Sequence, residues 1–159
     1  MDEKTKEKYM TAAIICFALI LSSFIMAGVV FIFITLGINT GFLDLMEMAY
    51  LTNILRPALY LIALSFLFVS RFVDEKILKN KFSSQDEILK ALLYSSTIKG
   101  ALGELCALNG FILFIFTGNL WDFLLLFSVS LIYGIYNFPR KTFWEDFIRS
   151  VKTGAVNPS

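Results

Sequence analysis

Apolar residues run along this chain in blocks too continuous for a soluble amphipathic pattern. Thirty-five consecutive residues, Tyr9 to Leu43, carry no formal charge. Within them, Thr11 to Leu36 would form a helix about 39 Å long against a hydrocarbon core of about 30 Å, so it can span a bilayer with some tilt. The block is far longer than the apolar region of a signal peptide and predicts an uncleaved first helix. Gly37, Asn39 and Gly41 then supply residues that tolerate left-handed backbone and end it. A second block, Leu51 to Ser70, predicts another span, with Pro57 in its first turn and Arg56 close enough to the boundary to snorkel. The third span runs from Ile98 to Thr117 and the fourth from Leu120 to Phe138, joined by the turn Gly118-Asn119 and stopped by Pro139.

Polar stretches separate these blocks. Arg71 to Lys90 holds five Lys/Arg and four Asp/Glu and reads as a solvated loop. Ser84 followed by Glu87 has capping-box spacing, so a helix is expected to begin there, outside the membrane, and run inward. Beyond Pro139, the residues Phe143, Trp144, Phe147, Ile148 and Val151 share one helical face, opposite Glu145, Asp146, Arg149 and Lys152. Thr142 and Glu145 repeat the capping spacing. Two placements fit this amphipathic helix. It can lie in the headgroup region, anchored by Phe143, Trp144, Phe147, Arg140 and Lys141, or it can dock on the protein's own loop; the first is the expectation. The predicted fold is therefore an all-α integral membrane protein: four transmembrane helices as two hairpins over residues 1–138, then a cytoplasmic interfacial helix and tail over 139–159.

Composition supports the membrane assignment, with 57% apolar and only 17% charged residues among 159. A soluble domain normally carries about a quarter charged residues. The net charge of +1 provides no basic field to hold nucleic acid. No histidine is present, which removes imidazole bases, haem axial imidazoles and most zinc sites, and nothing in the sequence calls for a cofactor. The three Lys/Arg of the N-terminal tail, five of the middle loop and four of the C-terminal tail contrast with none in Gly37–Tyr50 or Gly118-Asn119. By the positive-inside rule the middle loop and both termini are cytoplasmic. Cys16 and Cys106 fall inside spans, without metal or disulfide spacing, and read as small packing residues.

Two features of the third span bear on function. Ser96, Gly100, Gly103, Ala107 and Gly110 recur at steps of four and three, forming a flat face suited to close helix packing in lipid. That face can meet the protein's own first or fourth helix, another copy, or another subunit. Beside it lies Glu104, about 9 Å inside the predicted boundary. A charge near a bilayer centre costs about 2.5–3.5 kcal/mol on insertion scales, so such a carboxyl is protonated, paired or in a wet cavity. Three roles stay open: proton or cation exchange, a hydrogen bond to Ser22, Ser23 or Ser65 or to a lysine of another subunit, and snorkelling to a boundary that begins later. Asn109 is expected to bond between helices and Asp122 to mark the outer boundary.

The stretch Gly100-Ala-Leu-Gly-Glu104-Leu-Cys-Ala-Leu-Asn-Gly110-Phe-Ile-Leu resembles the ion-carrying helix of the rotor-ring subunit c, the proteolipid of rotary ATPases. There a membrane carboxylate is flanked by small residues and followed six positions later by Gly. The resemblance implies an ion-binding role for Glu104. It covers about fifteen residues, and the rest departs from that pattern: Pro57 to Ser70 contains no glycine, and the carboxylate lies on the third span rather than the last. A c-like motif within a different small membrane protein describes these residues.

Neither a nucleophile–base pair nor a phosphate-binding glycine motif is present, so the chain reads as non-catalytic. The leading expectation is a small membrane subunit that packs through its Gly/Ala face into a homo- or hetero-oligomeric complex, with membrane lipids and self or other membrane subunits as partners. Ion translocation through Glu104 and a lipid- or quinone-binding bundle are the alternatives.

Overall fold

The computed structural model of the chain describes residues 2–38, 40–41, 49–78, 82 and 84–153. The described residues form five α-helices: α1 (Glu3–Thr35), α2 (Ala49–Leu78), α3 (Gln85–Thr117), α4 (Leu120–Tyr136) and α5 (Lys141–Lys152). Three of them, α1, α2 and α3, are each long and apolar enough to cross a membrane. At 17 residues, α4 is about 26 Å long; it passes the same test only together with α5, to which it is joined through a 51° bend.

Local chemistry explains most of the boundaries. Asp2 caps α1, its carboxylate accepting from the Thr5 backbone N–H at 3.1 Å. Beyond Thr35 the chain turns through Gly37 at φ 62°, then reaches Gly41 at φ 95°; Asn39, the third expected breaker, lies outside the described residues. The Ser84 hydroxyl accepts from Glu87 N–H at 3.3 Å and starts α3. At the other end Gly118 closes α3 in left-handed conformation at φ 66°, and Asn119 caps α4 by accepting from Trp121 N–H at 2.9 Å.

Three expectations are corrected. Helix α2 starts at Ala49, so Pro57 sits inside it rather than in its first turn; a proline's missing N–H is tolerated in bundled membrane helices because neighbouring groups satisfy the freed carbonyl. Residues 71–78 of the supposed solvated loop continue α2. They stay helical because Asp74 is tied to α3, accepting from the Ser95 hydroxyl at 2.7 Å and pairing with Lys99 at 3.0 Å; polarity here marks where hydrocarbon ends, not where the helix ends. Helix α5 begins at Lys141 with Arg140 as an N-cap that makes no side-chain bond, in place of the expected Thr142 cap.

Helix α3 is the axis of the bundle, packed by α1, α2 and α4 and touched by α5. Half of its apolar window is buried, against 11% for α1 and 6% for α2. At the charged end a cluster joins Ala12, Leu89, Leu92, Trp144 and Ile148. Farther along, Ala63, Cys106, Leu113 and Leu126 form a second cluster, and Val30, Phe114 and Phe123 a third. Outside, Phe17, Phe24 and Phe31 of α1, Leu61 and Phe68 of α2 and Ile132 and Ile135 of α4 are exposed. An apolar surface of this extent is stable only against acyl chains or another protein.

Candidate functional site: the Glu104 seam

The small residues of α3 let two helices approach its backbone. A Cβ built on Gly100 would lie 2.9 Å from Leu19 Cδ1 of α1. On Gly103 it would lie 3.0 Å from the Tyr133 ring of α4, and on Gly110 3.0 Å from Leu126 Cβ and 3.2 Å from the Phe123 carbonyl. Ala107 is fully buried, and the buried Ser96 accepts a hydrogen bond at its carbonyl from the Cys16 thiol at 3.4 Å. Gly100, Gly103 and Gly110 are therefore met by α1 and α4 of the same chain, Ser96 touches α1 through Cys16, and Ala107 is buried. Both cysteines are free and buried, which matches a packing role.

Glu104 lies where α1, α3 and α4 meet. The Ser22 hydroxyl of α1 donates to its carboxylate Oε1. Beside it is a cavity of about 10 Å³, lined by Gly100, Gly103, Ser23, Ser130 and Gly134 among others. That volume is about one water. The hydroxyls of Ser23 and Ser130 face one another across it at 3.4 Å. Of the three serines considered from the sequence, Ser22 reaches the carboxylate, Ser23 pairs with Ser130, and Ser65 instead bonds its own helix at the Ile62 carbonyl, 2.6 Å away. The arrangement can hold a proton on the carboxyl or a very small cation between carboxylate and hydroxyls. Among the described residues no three Asp, Glu or Cys groups converge as a metal site.

Two polar clusters lie outside the sequence expectations. Asp122, on α4, accepts from Arg56 Nε at 2.8 Å and from the Tyr60 hydroxyl at 3.0 Å, both on α2; its side chain is 9% exposed and that of Arg56 39%. The expected topology holds the clue, because it would start spans two and four on one side of the membrane and so bring Arg56 and Asp122 to one depth. The Asp74–Ser95–Lys99 cluster was hidden by reading Asp74 as loop. Asn109 is buried, but its amide Nδ2 has no partner among the described residues, so the expected interhelical bond is not made there.

The proposed membrane anchors divide. Trp144 is fully buried, edge-on to Tyr9 at 5.7 Å and surrounded by the charged-end cluster, so it holds α5 to α1 and α3 rather than facing headgroups. Phe143 is 48% exposed and stacks on Phe147, while Arg140 and Lys141 are exposed. At the same end Lys4 pairs with Asp86 at 2.6 Å, and Gln85 donates to Asp2 at 2.7 Å. These contacts hold the Asp2 carboxyl below its ordinary value, chiefly through the Thr5 hydroxyl, and that of Asp86 likewise through Lys4.

Comparison with protein-family models, with curated proteins and with solved structures yields no match.

Proposed function

We propose that the protein is a non-catalytic integral membrane subunit that crosses the bilayer four times as two hairpins, α1 with α2 and α3 with α4, with both termini in the cytoplasm. It associates with copies of itself or with other membrane subunits. One observation carries this reading: the chain's own packing buries only 11% and 6% of the apolar windows of α1 and α2, leaving most of two spans for lipid or partner helices. With the Gly/Ala face already filled from within, association falls to the outward sides of α1 and α2. A photocrosslinking amino acid at Leu61 or Phe68, introduced into the full chain in its native membrane, tests this. Discrete protein adducts at these positions and none at Ala107 are expected; lipid adducts alone at Leu61, Phe68 and Phe24 would contradict it.

The Ser22–Glu104 contact beside a water-sized cavity favours a second role for the same subunit, exchange of a proton or small cation at Glu104, as its c-like motif implies. A protonated carboxyl in an apolar site reacts with dicyclohexylcarbodiimide. Labelling of the wild type, protection by Na⁺ or high pH, and loss of label in Glu104→Gln are the expected results. Absence of labelling in the folded protein would leave Glu104 as a structural tie to α1.

A further inference from the structure

At the charged end of the bundle, the elbow between α4 and α5 borders, with α3 and Asp74 of α2, an open cavity of about 480 Å³. This is within the range of small-molecule sites. Its lining is amphipathic: Leu92 and Trp144 line it on the apolar side, and Tyr136 and Phe143, 75% and 48% exposed, stand where lipid would meet it. Four charged side chains share it. Lys99 and Asp74 neutralise one another at 3.0 Å. Arg140 and Asp146 are left, one of each sign, and neither side chain has an ion pair or hydrogen bond among the described residues. Thr142 adds a hydroxyl and Asn137 an amide oxygen, since the Asn137 amide nitrogen already donates to the Tyr133 carbonyl at 3.0 Å.

From this charge pattern we infer that the elbow cavity binds a phospholipid with a zwitterionic phosphoethanolamine headgroup, the phosphate on Arg140 and Thr142 and the ammonium on Asp146 and the Asn137 amide oxygen. A guanidinium and a hydroxyl match phosphate oxygens, and a primary ammonium has three donors for a carboxylate and an amide. A purely anionic headgroup would leave Asp146 facing it unpaired, and a quaternary ammonium has no N–H to give. The aromatic rim accommodates the glycerol and first acyl carbons, as aromatic side chains do at membrane interfaces. The ligand is a lipid rather than a soluble phosphoester because Tyr136, which lines the cavity, continues the exposed apolar flank of α4 formed by Ile132 and Ile135, a surface suited to acyl chains.

Native mass spectrometry of the full chain, released from micelles carrying equal amounts of phosphatidylethanolamine, phosphatidylcholine and phosphatidylglycerol, tests the assignment. One ethanolamine lipid should be retained in preference to the other two by about tenfold, the equivalent of one charge-assisted hydrogen bond. Arg140→Ala and Asp146→Asn should each abolish the preference, while Lys141→Ala, just outside the cavity lining, should keep it. Arg140 and Asp146 are exposed, so unchanged melting of both variants separates loss of the ligand from loss of the fold. Equal retention of the three lipids, a preference that survives Arg140→Ala, or tight binding of soluble phosphoethanolamine in place of lipid would each overturn it.

Discussion

Gly110→Ala adds one methyl where the chain has no room for it. The new Cβ would meet Leu126 Cβ at 3.0 Å and the Phe123 carbonyl oxygen and Cα at 3.2 and 3.3 Å. All three belong to the backbone of α4 or sit next to it, so no rotamer change relieves the contact and α4 must move away from α3. Overpacking of this kind costs about 1–3 kcal/mol. The better helix propensity of Ala offsets about 0.5–1 kcal/mol, leaving a net loss of up to about 2.5 kcal/mol, centred near 1 kcal/mol. Gly28→Ala is the internal control: it lies within α1, nothing stands within 4 Å of its Cβ, and it should be neutral or stabilising by about 0.4–1 kcal/mol. Reversible unfolding in mixed micelles by added anionic detergent measures both. The losses should be independent of protein concentration, since the contact lies within one chain. Equal stability of the two variants would refute the reasoning, as would a Gly110→Ala defect seen only as loss of oligomer.

Arg56→Ala leaves the Asp122 carboxylate in place without its cation; breaking a buried pair costs about 3–5 kcal/mol, and the partial exposure of Arg56 reduces this to about 2–3 kcal/mol, while Tyr60→Phe costs about 1 kcal/mol, both read by thermal melting. Trp144→Ala empties a fully buried site and should cost about 3–5 kcal/mol, releasing α5 to proteolysis between Pro139 and Thr153, whereas Phe143→Ala should protect α5 as the wild type does. The carboxyls of Asp2 and Asp86 have lowered values in the folded state, so their contribution is complete above the ordinary 3.8 and disappears as pH falls through the folded values. Amide exchange in residues 3–12 should therefore accelerate in acid below that point, with Lys4→Ala removing most of the effect at Asp86.

Much of this architecture can be read from hydropathy because a bilayer demands long uncharged runs, and the ends of α3 and the start of α4 follow from the capping side chains of Ser84 and Asn119 and the left-handed backbone of Gly118. The reading failed where tertiary contact overrides local polarity. Asp74 lies among charged residues that suit a loop, yet its bonds to Ser95 and Lys99 keep α2 helical to Leu78. Trp144 sits on an amphipathic face that suits either headgroups or protein; only the distant cluster of Ala12, Leu89 and Leu92 decides between them. For the small-residue face, spacing establishes close packing but not the identity of the partner; the buried small residues of the helices that meet it, Ala12, Cys16 and Ser23 of α1 and Ser130 and Gly134 of α4, are scattered among larger apolar ones and do not stand out by spacing.

Two-sided thiol labelling in sealed vesicles tests the four-span arrangement most directly. With Cys16 and Cys106 buried, single cysteines at Lys6, Ile38, Asn119 and Thr153 can be probed by a membrane-impermeant maleimide. Lys6→Cys and Thr153→Cys should react from one side, and Ile38→Cys and Asn119→Cys from the other. Labelling of Thr153→Cys from the same side as Ile38→Cys would instead make α4 and α5 a re-entrant pair that enters and leaves the membrane on one side, and would contradict the topology.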